Sequence, residues 1–201
     1  MSTPRRLALS VAALAATALA LTGCGTSQAG AAATVGDTRI TENQLTTQVQ
    51  EVLAAKGQPL NTQDAGLVSR VLGRMITIEL VDRLAEAEGV EVTQGQIDEV
   101  LANYTGQVGS IEQVEEIFLQ ENVAPSQLES IIRLQGQAQE LGIKLNPSGS
   151  AEEQGAAVVE AAALLSEDLG TTVSPRYGTW DAQAFDLGPV PDDLSTLPTT
   201  E

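Results

Sequence analysis

Few side chains could carry out covalent chemistry, because the chain has a single cysteine, Cys24, and no histidine. A cysteine thiolate is a nucleophile and a frequent target of modification. Without histidine or a second cysteine, the chain lacks the Ser-His and Cys-His pairs of common nucleophilic enzymes and most transition-metal ligand sets. The residue types therefore indicate chemistry on Cys24 and argue against an enzyme, and no metal or cofactor is expected.

Adjacent acidic residues are the other candidates, for acid–base work or for calcium binding. Examples are Asp98/Glu99, Glu115/Glu116, Glu152/Glu153 and Asp192/Asp193. Neighbouring residues on a helix point to different faces, and the glycine-containing spacing of an EF-hand is not found in the chain. We interpret these pairs as solvated surface.

The segment before Cys24 predicts export. Arg5 and Arg6 precede an apolar run over residues 7–21, a pattern typical of a signal peptide. The run is shorter than the roughly 20 apolar residues that a permanent membrane span needs.

The order Leu21-Thr22-Gly23-Cys24 resembles the lipobox of bacterial lipoprotein precursors. The resemblance implies that residues 1–23 are a lipoprotein signal peptide and that Cys24 carries a covalent diacylglycerol, whose two acyl chains give durable anchoring. The predicted location is the extracytoplasmic face of the cell membrane. The alternative is a secreted protein with a free cysteine.

Composition limits the partners. The formal net charge is -17, which makes nucleic acid a poor partner. Residues 24–33 are rich in Gly, Ser and Ala and are predicted to be a flexible tether between the lipid and the folded domain.

The domain that Cys24 would anchor begins with a predicted hairpin over residues 34–41, which turns at Gly36-Asp37. Thr41 and Gln44 form a capping box that predicts a helix to about Lys56. The next helix is predicted over residues 62–88. It carries two adjoining apolar rows, so we expect it to pack against two neighbours and to form the hub of the fold. The rows are Val68, Leu72, Ile76, Leu80 and Leu84, and Val71, Met75, Ile78 and Val81.

Four further capping boxes predict more helices. They are Thr93/Gln96, Ser110/Gln113, Ser126/Glu129 and Ser150/Glu153. Residues 171–181 then predict an extended strand, which Pro175 restricts to a sheet edge or a bulge. Residues 182–201 are predicted to be a disordered tail. The predicted fold class is mainly α.

The order of a hairpin, a helix, a long helix ending Glu86-Ala87-Glu88-Gly89-Val90 and three shorter helices resembles the N-terminal domain of SurA-type chaperones and of the PrsA foldase lipoproteins. The resemblance covers roughly residues 33–145, and the segment from Val173 to Asp181, with its Pro-Arg-Tyr-Gly-Thr-Trp-Asp sequence, is similar to the ending of actinobacterial members. The resemblance to these chaperones implies one helical chaperone domain over residues 34–181. In this domain the N-terminal hairpin and a C-terminal strand would form a small antiparallel sheet.

The same resemblance implies a function without catalysis. Residues 148–172 are too few for the parvulin-type prolyl isomerase domain that is commonly inserted there, and the chain has no histidine for its centre. Unfolded or exported polypeptides are the implied partners, and no small-molecule substrate is expected. The hypothesised peptide-binding residues are Leu72, Met75, Ile76, Leu80 and Phe118, and an acidic rim would favour basic clients. The alternative reading is that the apolar face of the long helix is simply core.

A different class of function stays open. The same fold could serve as an envelope scaffold or assembly lipoprotein that holds one specific folded partner. A solute-binding lipoprotein is disfavoured, because its lobes need strands that alternate with helices.

Overall fold

The computed structural model describes residues 30–190. The predicted signal peptide, the lipobox with Cys24, and residues 191–201 lie outside this part of the chain. The described elements are, in chain order, β1 Ala31–Val35, β2 Thr38–Thr41, α1 Glu42–Ala55, α2 Ala65–Glu88, α3 Gln94–Val108, α4 Ile111–Gln120, α5 Leu128–Leu145, α6 Ala151–Asp168, β3 Thr172–Val173, β4 Trp180–Asp181 and β5 Asp186–Leu187. The prediction of a mainly helical fold is confirmed.

The predicted sheet is present, and both ends of the described chain contribute to it. β1 and β2 are antiparallel across the Gly36-Asp37 turn, where Gly36 has a φ of 58°. β3 pairs with the other side of β1, so the strand order is β2-β1-β3. The hydroxyls of Thr34 and Thr172 are hydrogen-bonded at 2.7 Å. The C-terminal strand therefore closes the N-terminal hairpin, as predicted.

Helix starts follow most of the predicted capping signals. Complete capping boxes open α1, α3 and α6 at Thr41, Thr93 and Ser150. At α4, Ser110 accepts from the backbone N–H of Gln113. The predicted box at Ser126 is wrong, because Pro125–Gln127 forms a 3-10 turn that leads into α5 without a side-chain cap.

Three apolar clusters surround α2 and α5. The first joins the sheet, α1 and the first part of α2. The second joins the later part of α2 with α5 and α6. The third lies among α3, α4 and the start of α5. Since α2 contributes to two clusters, the prediction that the long helix is the hub is confirmed, although it begins at Ala65 and not at residue 62.

Two predicted domain boundaries need correction. The tether was predicted to extend to residue 33, but Ala31, Ala32 and Ala33 are buried in β1. Small apolar side chains suit a flexible linker and a closely packed strand equally well, so composition alone did not separate the two.

The predicted disordered tail is wrong for residues 182–190. Here β5 pairs with β4, Leu187 is buried, and the Phe185 ring meets Trp180 edge to face at 6.0 Å. The strand predicted over residues 171–181 is also divided, because Pro175 opens a 3-10 turn between β3 and β4. The indole N–H of Trp180 donates to the buried Ser166 hydroxyl at 2.9 Å, and this bond holds the segment against α6.

Candidate functional site

Most of the predicted client-binding residues lie inside the protein. Leu72, Ile76 and Leu80 are each 0 % exposed and belong to the first cluster. The sheet and α1 cover the face of α2 that carries them, so no client can reach them in this structure. The hypothesis of an open cleft at these three positions is wrong, and the core reading holds for them.

The other two predicted residues are accessible in part but do not share a site. Phe118 packs in the third cluster, edge to face with Tyr104 at a centroid distance of 5.8 Å. Met75 is half-buried at the border of the first cluster and faces a groove beside the sheet. Met75 thus lines an open groove, whereas Phe118 belongs to a separate cluster.

This groove, which we call the β2-edge groove, has a volume of about 250 Å³. One side is strand β2, and the other sides come from α1, α2 and the start of α5. It is lined by Thr38, Arg39, Ile40, Gln44, Gln48, Met75, Ile78, Glu79, Gln127 and Ser130. The lining combines two flexible or branched apolar side chains on α2 with several neutral amides, a mixture that suits contact with varied polypeptide sequences.

Strand β2 is an edge strand, because β1 is its only neighbour in the described sheet. Val35 and Thr38 flank the two-residue turn and form the first hydrogen-bonded pair of the hairpin. The next pair, Thr34 and Arg39, must then be a non-hydrogen-bonded pair. The bond from Ser174 N–H to the Ala32 carbonyl supports this phase, since even-numbered residues of β1 bond towards β3. The N–H and C=O of Arg39 therefore point away from the sheet, beside the groove.

Arg83 on α2 holds the hairpin in place next to the groove. Its guanidinium donates to the Thr38 hydroxyl at 2.6 Å, to the Asp37 carboxylate, and through Nε to Glu79 at 2.9 Å. The hydrogen bond from Arg83 lowers the pKa of Asp37, and the hydrogen bonds to Glu79 and Asp37 raise the pKa of Arg83. These contacts keep the β2 edge in a defined position relative to α2.

Within residues 30–190, no three His, Cys, Asp or Glu side chains are grouped so as to hold a metal ion. In the same range, no helix combines the length and the apolar character needed to cross a membrane.

A second apolar groove of similar volume lies between α1 and the start of α2. It contains Val49, Tyr177 and Leu60, whose side chain is 53 % exposed. No strand edge borders it, so it offers no row of backbone donors and acceptors. For an extended polypeptide, the β2-edge groove is the better candidate.

Met75, predicted from the sequence as a client contact, lines the β2-edge groove, and its peptide-binding role stays a prediction; the strand edge was not predicted. The hairpin was predicted correctly, yet the local sequence does not reveal which of its edges another element will cover. Only the pairing of β3 with β1 shows that β2, and not β1, keeps an edge that no described strand covers.

The fold and this groove define a helical domain with a small, exposed sheet edge. A family model described as the SurA-like N-terminal domain matches residues 4–142. The match spans more than half of the 201 residues, and the chain belongs to this family. Membership indicates a chaperone-like role with polypeptides as binding partners. No curated protein and no solved structure matches the chain significantly.

Proposed function

We propose that the protein is a lipid-anchored extracytoplasmic chaperone that holds unfolded or exported polypeptides without catalysing a reaction on them. The observation that carries this proposal is the β2 edge beside Met75 and Ile78, which no strand within residues 30–190 covers. An added strand bonds through its main chain, so the interaction tolerates many sequences, while apolar pockets favour alternate side chains. Both properties suit a protein that handles varied clients.

The anchor is proposed from the sequence. The apolar run over residues 7–21 and the lipobox at Leu21-Thr22-Gly23-Cys24 support lipidation of Cys24 and a location on the outer face of the cell membrane. Strand β1 begins at Ala31, so only residues 25–30 separate it from Cys24. The domain would therefore work close to the membrane, where newly exported chains emerge.

The first test uses residues 25–201, which contain every described residue. This soluble form is mixed with a reduced, unfolded exported protein, and aggregation is followed by light scattering. A proline-peptide isomerisation assay is run beside it. We expect suppressed aggregation with no isomerisation. If aggregation proceeds unchanged and one folded partner binds stoichiometrically, the scaffold function replaces this proposal.

The Arg39→Pro variant tests the strand edge itself. Proline removes the outward N–H of Arg39, and edge strands tolerate it at such positions because the ladder to β1 is not used there. The matched control is Arg39→Ala, which loses the same charge and keeps the N–H. One hydrogen bond is worth roughly 0.5–1.5 kcal/mol, so Arg39→Pro should need about 2- to 10-fold more protein than Arg39→Ala for equal suppression. Equal activity of the two variants would show that clients do not pair with β2.

A further inference from the structure

A separate groove lies between α3 and α5, next to the third cluster, two of whose buried residues, Ile97 and Ile132, line it. Its volume is about 170 Å³, which is below the roughly 300 Å³ of the smallest typical small-molecule pockets. The floor is apolar and includes Ile97 and Ile132, and Val100 on the wall is 37 % exposed. The size and the lining suit one apolar side chain better than a whole small molecule.

The rim of this groove carries negative charge without a lysine or arginine. Glu99 and Glu140 line it together with the neutral Gln96 and Gln139, and all four are exposed. Gly136, which also lines the groove, packs closely on Val92, since a Cβ there would lie 3.2 Å from the Val92 side chain. An apolar anchor placed in the groove would therefore have carboxylates beside it.

The surrounding sequence extends the same sign of charge. Between Arg83 and Arg133 there are ten acidic residues and no lysine or arginine: three precede α3, two lie in α3, three lie in α4 and two follow it. Arg133 itself donates to the Val92 carbonyl at 3.1 Å, and Lys144 on the same helix pairs with Glu88. The cations of α5 are thus already engaged within the protein.

We propose that the α3–α5 groove binds client segments in which an apolar side chain is flanked by lysine or arginine. Charge complementarity selects this occupant, since the exposed carboxylates attract the flanking cations while the groove takes the apolar side chain. A second copy of this chain would bring the same negative charge and be repelled. The inference rests on the proposed function and adds a preference that the nearly neutral β2-edge groove does not provide.

The test measures the binding of short labelled peptides to residues 25–201 by fluorescence anisotropy at low and at high salt. One peptide has a leucine centre flanked by lysines, and a second has the same centre flanked by glutamates. We expect the lysine peptide to bind more tightly, with an advantage that falls at high salt. Peptide-dependent protection from hydrogen exchange should appear in α3 and α5.

The matched variants are Glu99→Gln/Glu140→Gln and, as control, Glu160→Gln/Glu167→Gln, which removes two exposed charges from α6. Exposed ion pairs contribute modestly, so the first variant should weaken lysine-peptide binding by about 2- to 30-fold at low salt, and the control should change it little. Equal effects of both variants, equal binding of both peptides, or no binding would each overturn the inference. The aggregation assay is independent of these outcomes, because it tests the proposed function with a whole unfolded protein.

Discussion

Replacing Leu80 by alanine separates a core role from a client-binding role for the apolar face of α2. Leu80 is 0 % exposed and lies in the first cluster, between the sheet and the helices. Its removal deletes buried methyl groups and leaves a cavity that tightly packed neighbours fill only in part. For fully buried leucines, this combination costs about 3–5 kcal/mol.

For a domain of this size, each kcal/mol lowers the melting temperature by about 2–4 °C, so Leu80→Ala should lower it by roughly 6–20 °C. Thermal denaturation followed by circular dichroism measures this shift, and urea denaturation measures the loss of free energy of unfolding, with an unchanged dependence of that free energy on urea concentration. The control is Leu164→Ala on α6, whose side chain is 60 % exposed and should contribute little. A Leu80→Ala protein of near-native stability that no longer suppresses aggregation would refute the core assignment.

Gly178 has a φ of 113°, and a Cβ there would lie 2.2 Å from the Gly188 carbonyl oxygen, so Gly178→Ala should cost roughly 2 kcal/mol or more in urea denaturation. The control Gly155→Ala, in an open helical position, should stabilise by up to about 1 kcal/mol. Because Arg83 lowers the folded-state pKa of Asp37, this carboxylate contributes stability above its unfolded pKa near 4 and loses it as pH falls through the folded value. Asp37→Asn should therefore make the melting temperature less sensitive to acid, and an unchanged acid profile would contradict this.

Local signals predicted the helix starts well, because a capping box needs only residues three apart. Thr41, Thr93 and Ser150 all act as predicted. Ser126 shows where the rule fails. Its hydroxyl donates to Glu51 on α1 at 2.5 Å, so a residue 75 positions away takes the group that would have capped α5.

The site was harder to predict than the fold, because accessibility depends on what the rest of the chain covers. The apolar rows of α2 were visible in the sequence, but the face with Leu72 and Ile76 is closed by strands from both ends of the described chain. Phe185 and Leu187 also depend on the rest of the chain. They are apolar residues in a polar segment, and they pack against the first cluster, where β5 contacts α2.

The pairing of β1 with β3 has a consequence for how the chain matures. Thr34 and its partner Thr172 are 138 positions apart. The first strand of the sheet to be synthesised can therefore pair with β3 only after nearly all of the described chain has been made. Until then the β1–β2 hairpin is marginal by itself, and the sheet that covers part of the apolar rows of α2 is incomplete. Pairing between strands so far apart in sequence slows folding and prolongs the exposure of apolar surface that is prone to aggregation. During its own synthesis the protein is thus for a time in need of the kind of protection it would give to others.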